Sequence, residues 1–178
     1  MPPSTGSPPE LVPPAVDGPG PDRERRLAVG LVAIQAGLLL AFFAVPHRRD
    51  WSLPAWLEAA GSVVTLVGGG VLVVAALNLG RSLTPLPTPA TSGTLRTGGL
   101  YRFVRHPIYS GLLALVFGGA VTSRSAIRLA LAVALLALLG RKAAWEEAML
   151  RRRYPDYDEY ARRTPRFLPR LVRRHQSD

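Results

Sequence analysis

Apolar residues fall into long runs separated by Pro-rich or Arg-rich punctuation. Leu27 to Val45 carries no charge, and Gln35 is its only strongly polar side chain. Its 19 residues rise about 28 Å as a helix, close to the thickness of a bilayer core. Arg23, Arg25 and Arg26 precede it, and Pro46, His47, Arg48 and Arg49 close it. A cleaved leader is the competing reading, but the run exceeds a typical leader core and no small-x-small site follows. Ala59 to Leu77 is a second uncharged run, with Trp51 and Trp56 ahead of it where interfacial aromatics are expected. Gly68-Gly69-Gly70 interrupts this run; in water the triplet opposes a helix, whereas in a membrane small residues let helices approach closely.

Ile108 to Ser123 and Leu129 to Gly140 are shorter runs, joined by Ser123-Arg124-Ser125. They are expected to pair as an antiparallel hairpin, with Arg128 either snorkelling to the interface or pairing inside. From Arg141 to about Tyr154 the pattern is helical and amphipathic, until Pro155 breaks it. Residues 1–22 are rich in Pro, Gly and Ser and predict a disordered segment. Residues 81–104 hold Pro85, Pro87, Pro89, Gly93, Gly98 and Gly99 and predict a long loop of the kind that carries function. The expected organisation is thus a disordered segment (1–22), two membrane helices (23–80), and a core of loop, helical hairpin and amphipathic tail (81–178). The fold class is all-α, a polytopic membrane protein with about four transmembrane helices.

Charge refines this picture. The formal net charge is +10, from 21 Arg and a single Lys against 12 acidic residues. The basic residues flank apolar runs and are not interleaved with exposed aromatics, which favours a membrane surface over nucleic acid. With both termini on the cytoplasmic side, the inside segments hold eighteen basic residues and the outside loops four. The chain has no cysteine, and His47, His106 and His175 show no ligand spacing, so no metal site is expected. The preference for Arg over Lys and the abundance of Ala point to a GC-rich bacterial source.

Candidate chemistry concentrates at Arg105-His106-Pro107-Ile108-Tyr109-Ser110-Gly111, where the basic loop enters the third run. Pro107 suits the first position of a helix, which places His106 at the boundary and Tyr109 on the same face. Backbone N–H groups at this helix start would favour an anion such as a carboxylate. Glu146 and Glu147, beyond the fourth run, can return to the same membrane level. Simpler roles exist for each residue: His106 as a cap, Tyr109 as an interfacial anchor, the two acids as solvated partners of Lys142 and Arg151, and Arg151 to Arg153 against anionic headgroups.

Taken in order, Gly98-Gly99-Leu100-Tyr101, the Arg105 to Gly111 motif, an apolar hairpin, Glu146-Glu147, Tyr157, Tyr160 and Pro165 to Pro169 resemble the isoprenylcysteine carboxyl methyltransferase family and the related phospholipid methyltransferases. The resemblance spans roughly residues 78–170. It implies S-adenosylmethionine as cofactor, a cytoplasmic C-terminal cofactor-binding region, and a lipophilic acceptor of the carboxylate, amine or thiol class. Carried over by position, the cofactor contacts would be Thr94, Leu95, Tyr101, His106, Pro107, Ile108, Tyr109 and Glu146. The family's substrate-binding Arg falls at Lys142, which keeps the charge but loses the bidentate fork. Gly93 and Arg96 stand where the family usually has His and Val. Arg105 is the candidate for acceptor turnover and substrate binding, and Tyr109 and Glu147 are the candidate bases. The rival is a membrane reductase of the sterol-reductase type, which uses NADPH; Ile108 and Leu112 stand where its motif has Asn and an acid.

Overall fold

The computed structural model describes residues 21–46, 48–79 and 95–170. Among these residues the fold is all-α: α1 (Pro21–Ala44), α2 (Ala55–Leu79), a 3-10 turn (Gly99–Arg102), α3 (Pro107–Ser123), α4 (Ala126–Arg153) and α5 (Tyr157–Arg163). Two helices are long and apolar enough to cross a membrane, Asp22–Ala44 and Ala55–Asn78, and α3 is a shorter apolar helix. Their outward faces are strongly apolar: Leu40, Leu66 and Leu77 are all more than 70% exposed, as a lipid-facing surface requires.

Several boundaries depart from the sequence pattern. Pro21 and Asp22, expected in the disordered segment, open α1: Pro occupies the first helical position, and Asp22 and Glu24 complement the helix dipole. Residues 1–20, and 81–94 of the expected loop, lie outside the described residues. The fourth apolar run and the amphipathic stretch form one 28-residue helix, about 42 Å long, so Glu146 and Glu147 sit on a rigid extension of the hairpin. Ser125 caps α4 by accepting from the Arg128 N–H, and Arg124 makes the turn in the left-handed region at φ 49°. Tyr154 leaves the helix in extended conformation, as a residue before proline prefers.

The hairpin of α3 and α4 forms, but the closest helix approach is between α2 and α3. A Cβ on Gly68 would lie 2.7 Å from the Gly111 carbonyl, and one on Gly118 would lie 2.6 Å from the Gly61 carbonyl. Gly61 and Gly68 on α2 thus face Gly118 and Gly111 on α3 in antiparallel register, two turns apart. The glycines bring the two backbones into contact, which is the use the Gly-rich run was expected to have in a membrane. On the other face of α3, Leu112, Val116 and Ala120 pack with Ala132, Leu135 and Leu139 of α4, and Phe42 of α1 closes the core.

Arg128 resolves inward. Its Nε donates to the Val45 carbonyl at 3.1 Å, closing the open end of α1, and its guanidinium lies 5.3 Å from the Phe42 ring. Asp50 ties the loop before α2 to the α3–α4 turn, accepting from the Ala126 N–H at 2.8 Å, while Arg124 pairs with Glu58. α1 lies antiparallel to α4, with Phe42 near Arg128, Gln35 near Lys142 and Glu24 near Arg152. The N-terminal end of α3 and the C-terminal half of α4 therefore share one end of the bundle.

Candidate functional site

Pro107 starts α3 at its first position and leaves His106 as the residue before it, nearly buried. One turn on, Tyr109 stacks on the imidazole, with ring centroids 5.3 Å apart and planes 3° from parallel. Across from them α4 presents two adjacent acids. Glu146 and Glu147 differ by about 100° around the helix axis, so they reach His106 from two directions. His106 Nδ1 lies 3.4 Å from Glu146 Oε2, and Nε2 lies 3.2 Å from Glu147 Oε1. The Tyr109 hydroxyl donates to Glu146 Oε1 at 2.5 Å.

The two acids are not equivalent. Glu147 is fully buried and sits in a nest of cations. Arg166 donates to it through both Nε and Nη2 at 2.8 Å, Arg105 Nη1 lies 3.2 Å away, and Arg151 lies 3.8 Å away at helical spacing. Burial alone would raise its pKa; the hydrogen bonds from His106 and Arg166 and the Arg105 charge overcome this and hold it at about 2. Glu146 is 18% exposed and meets His106 and the Tyr109 hydroxyl, with no arginine hydrogen-bonded to it among the described residues. Burial disfavours charge on His106, but the hydrogen bonds and negative charge of both acids prevail and raise its pKa.

Behind this pair lies the rest of the site. Lys142 is buried, with Nζ 5.3 Å from the Tyr109 ring centroid and 3.2 Å from Gln35 Oε1 on α1. The lone polar residue of the first apolar run thus faces the lone lysine of the chain. The segment after α5 runs across the start of α3. Arg105 N–H donates to the Pro165 carbonyl at 2.9 Å, His106 N–H to Arg166 at 3.2 Å, and Ser110 Oγ to Phe167 at 2.7 Å. The backbone N–H groups of Arg105 and His106, just ahead of the helix, are therefore taken by the chain itself.

Arg105, His106, Tyr109, Glu146 and Glu147 are brought together, with Lys142 beside them. Pro107 and Ile108 shape the helix start, Pro107 fully buried and Ile108 against the core. Tyr101 is tied to α5, its carbonyl accepting from the Tyr160 hydroxyl at 2.6 Å. Leu95 lines a separate cleft of about 640 Å³ with Thr97, Arg102, Tyr160 and Thr164. Thr94 lies outside the described residues. The suggested solvated pairing of the acids holds in part, since Arg151 does meet Glu147, but Glu147 is withdrawn from solvent. Arg166, Phe167 and Gln35 were not singled out as site residues; the only signal was that Arg166 and Phe167 fall between Pro165 and Pro169, within the family resemblance.

Comparison with known proteins follows the same residues. The profile of the phospholipid methyltransferase family matches residues 56–157. The nickel-cobalt-cadmium resistance protein NccN of Alcaligenes xylosoxydans xylosoxydans is 31% identical over 162 residues, 89% of this chain and 73% of that protein. The cobalt-zinc-cadmium resistance protein CzcN of Cupriavidus metallidurans is 32% identical over 150 residues, 82% of this chain, which spans 65% of that protein. A probable protein-S-isoprenylcysteine O-methyltransferase of Oryza sativa subsp. indica is 30% identical over 149 residues, 78% of each chain.

Proposed function

The chain belongs to the phospholipid methyltransferase family, and on that premise we propose that it transfers a methyl group from S-adenosylmethionine to a lipophilic acceptor at the inner face of a membrane. The observation that carries this reading is the convergence of His106, Tyr109 and Glu146 beside the start of α3. The residues suit the donor. Glu146 is a partly exposed carboxylate that would hold a cationic group, and the face of Tyr109 attracts positive charge. The Arg105 guanidinium, at the start of α3 beside Glu147, is the cation that would receive the donor's carboxylate.

When bound, the donor supplies an activated methyl, so the acceptor displaces a neutral thioether and no metal is needed. The protein's work is to align acceptor and methyl and to keep water out. His106 and Tyr109 hold Glu146 in place. Lys142 and Gln35 lie deeper, where α1 meets α4, and would hold the polar end of an acceptor whose chain enters from lipid. Glu147 keeps its charge to low pH and is saturated by guanidinium donors, so its role is to anchor the site and not to accept a substrate proton. The inward-facing termini, the fourfold crossing and the C-terminal core of residues 81–178 complete this reading.

Family membership favours methyl transfer over hydride transfer from NADPH. The test is direct: the purified protein in lipid nanodiscs is given methyl-labelled S-adenosylmethionine and lipophilic carboxylates, amines and thiols. Label passing into a lipid-extractable product supports the proposal. No product with any acceptor, together with binding of a nicotinamide dinucleotide phosphate, rejects it in favour of the reductase.

A further inference from the structure

We propose that the segment Thr164–Leu168 forms one wall of the donor site, and that Arg166 is a positioning residue that orients the His106 imidazole through Glu147. The inference rests on the donor-site reading above and deepens it.

Three hydrogen bonds lay this strap along the start of α3, from Arg105 N–H, His106 N–H and Ser110 Oγ to the carbonyls of Pro165, Arg166 and Phe167. Two of these strap residues, Phe167 and Arg166, also act on the site. Phe167 sets its ring edge-on to His106 and Tyr109, with centroids 6.1 and 6.5 Å away. Arg166 takes both oxygens of Glu147, Nε on Oε1 and Nη2 on Oε2. Oε1 is also the atom that meets His106 Nε2. The contacts of Arg105 and Arg151 with Glu147 fall on Oε2, at 3.2 and 3.8 Å. Arg166 is therefore the guanidinium that opposes their pull and keeps Oε1 turned toward the imidazole. With Nε2 fixed by Glu147, Nδ1 is left pointing at Glu146, the acid that would meet the donor. A planar fork can hold both oxygens at once; an ammonium holds one, and an amide supplies no charge.

The whole chain in nanodiscs is titrated with S-adenosylhomocysteine by calorimetry, and its unfolding temperature is measured without ligand. Arg166→Gln is expected to weaken binding about tenfold, and Arg166→Lys to recover part of that loss, to about threefold. Arg163→Gln, whose partner is the exposed Glu159, is expected to bind like wild type. If Arg166→Gln unfolds more easily yet binds as wild type does, the strap only braces the fold and the inference is overturned while the donor site stands. Wild type that fails to bind overturns the donor site itself. Should Arg166→Gln not fold, Ser110→Ala carries the test by releasing one strap bond: about threefold weaker binding supports the inference, and unchanged binding overturns it.

Discussion

α3 is held by two different means. Along the side that meets α2, Gly111 and Gly118 leave no room for a methyl group, and the contact is backbone against backbone. At its start, His106 is enclosed by two acids and by the arginines that neutralise one of them. The glycine seam gains its stability from close backbone contact and gives one fixed helix spacing. The ionic knot costs desolvation and gives orientation: each polar atom has one place to point. The proposed methyl transfer calls for the second kind of order, and the first kind supplies the rigid frame on which it stands.

The largest expected break is Glu147→Leu. It removes the counter-charge from a buried imidazole and from Arg105 and Arg166, a loss of about 3–5 kcal/mol by analogy with other broken buried pairs. The variant should fail to yield a monodisperse peak on size exclusion in mild detergent; a wild-type profile and melting temperature would show that the knot is not structural.

Next comes the seam. Gly111→Ala places a methyl 2.7 Å from the Leu72 nitrogen and 2.8 Å from the Gly68 carbonyl, so the helices must part, at a cost of about 1–3 kcal/mol. Gly30→Ala and Gly37→Ala meet open space, and are expected to leave the melting temperature unchanged or raise it slightly. Equal effects from all three would remove the distinction between seam and surface glycines.

pH separates the two means. Glu147 has a depressed pKa, so its contribution is full above the ordinary carboxylate value and is lost as pH falls toward about 2. His106 has a raised pKa, so its contribution is full below the ordinary imidazole value and is lost as pH rises through the higher folded one. Wild type should therefore lose melting temperature on both limbs, and His106→Asn should lack the alkaline one. A seam variant such as Gly111→Ala should keep both limbs. Identical pH profiles for wild type and His106→Asn would contradict the charge assignment.

The mildest destabilisation is expected at Gln35→Leu. It withdraws one acceptor from Lys142 and should cost about 1 kcal/mol of stability, with the melting curve shifted by a few degrees at most. A collapse of the fold would make Gln35 part of the knot and blur the comparison.

What could be seen in the sequence follows the same division. Helices came from long apolar runs, which physics reads well because lipid admits little else. The His106 motif and the paired acids were visible as polar residues out of place beside those runs. Their inequality was not: nothing in adjacent Glu146 and Glu147 says that one is saturated by arginine and the other partly open. That difference is made by Arg166, which lies nineteen positions after Glu147 in a segment without periodicity. The antiparallel glycine register was likewise hidden, since Gly68-Gly69-Gly70 shows small residues but not which of them faces α3; of the three, Gly68 is the one set against the α3 backbone. Helix ends were displaced where capping outweighed hydropathy, as at Pro21 and Ser125.

Glu146, aligned by His106 and Tyr109, is proposed to face the methyl donor. Calorimetric titration of S-adenosylhomocysteine into wild type and Tyr109→Phe tests it most directly, because the substitution removes only the hydroxyl that donates to Glu146. Wild type is expected to bind saturably, and Tyr109→Phe to fold but bind about tenfold more weakly. Equal affinity in the two proteins would contradict it.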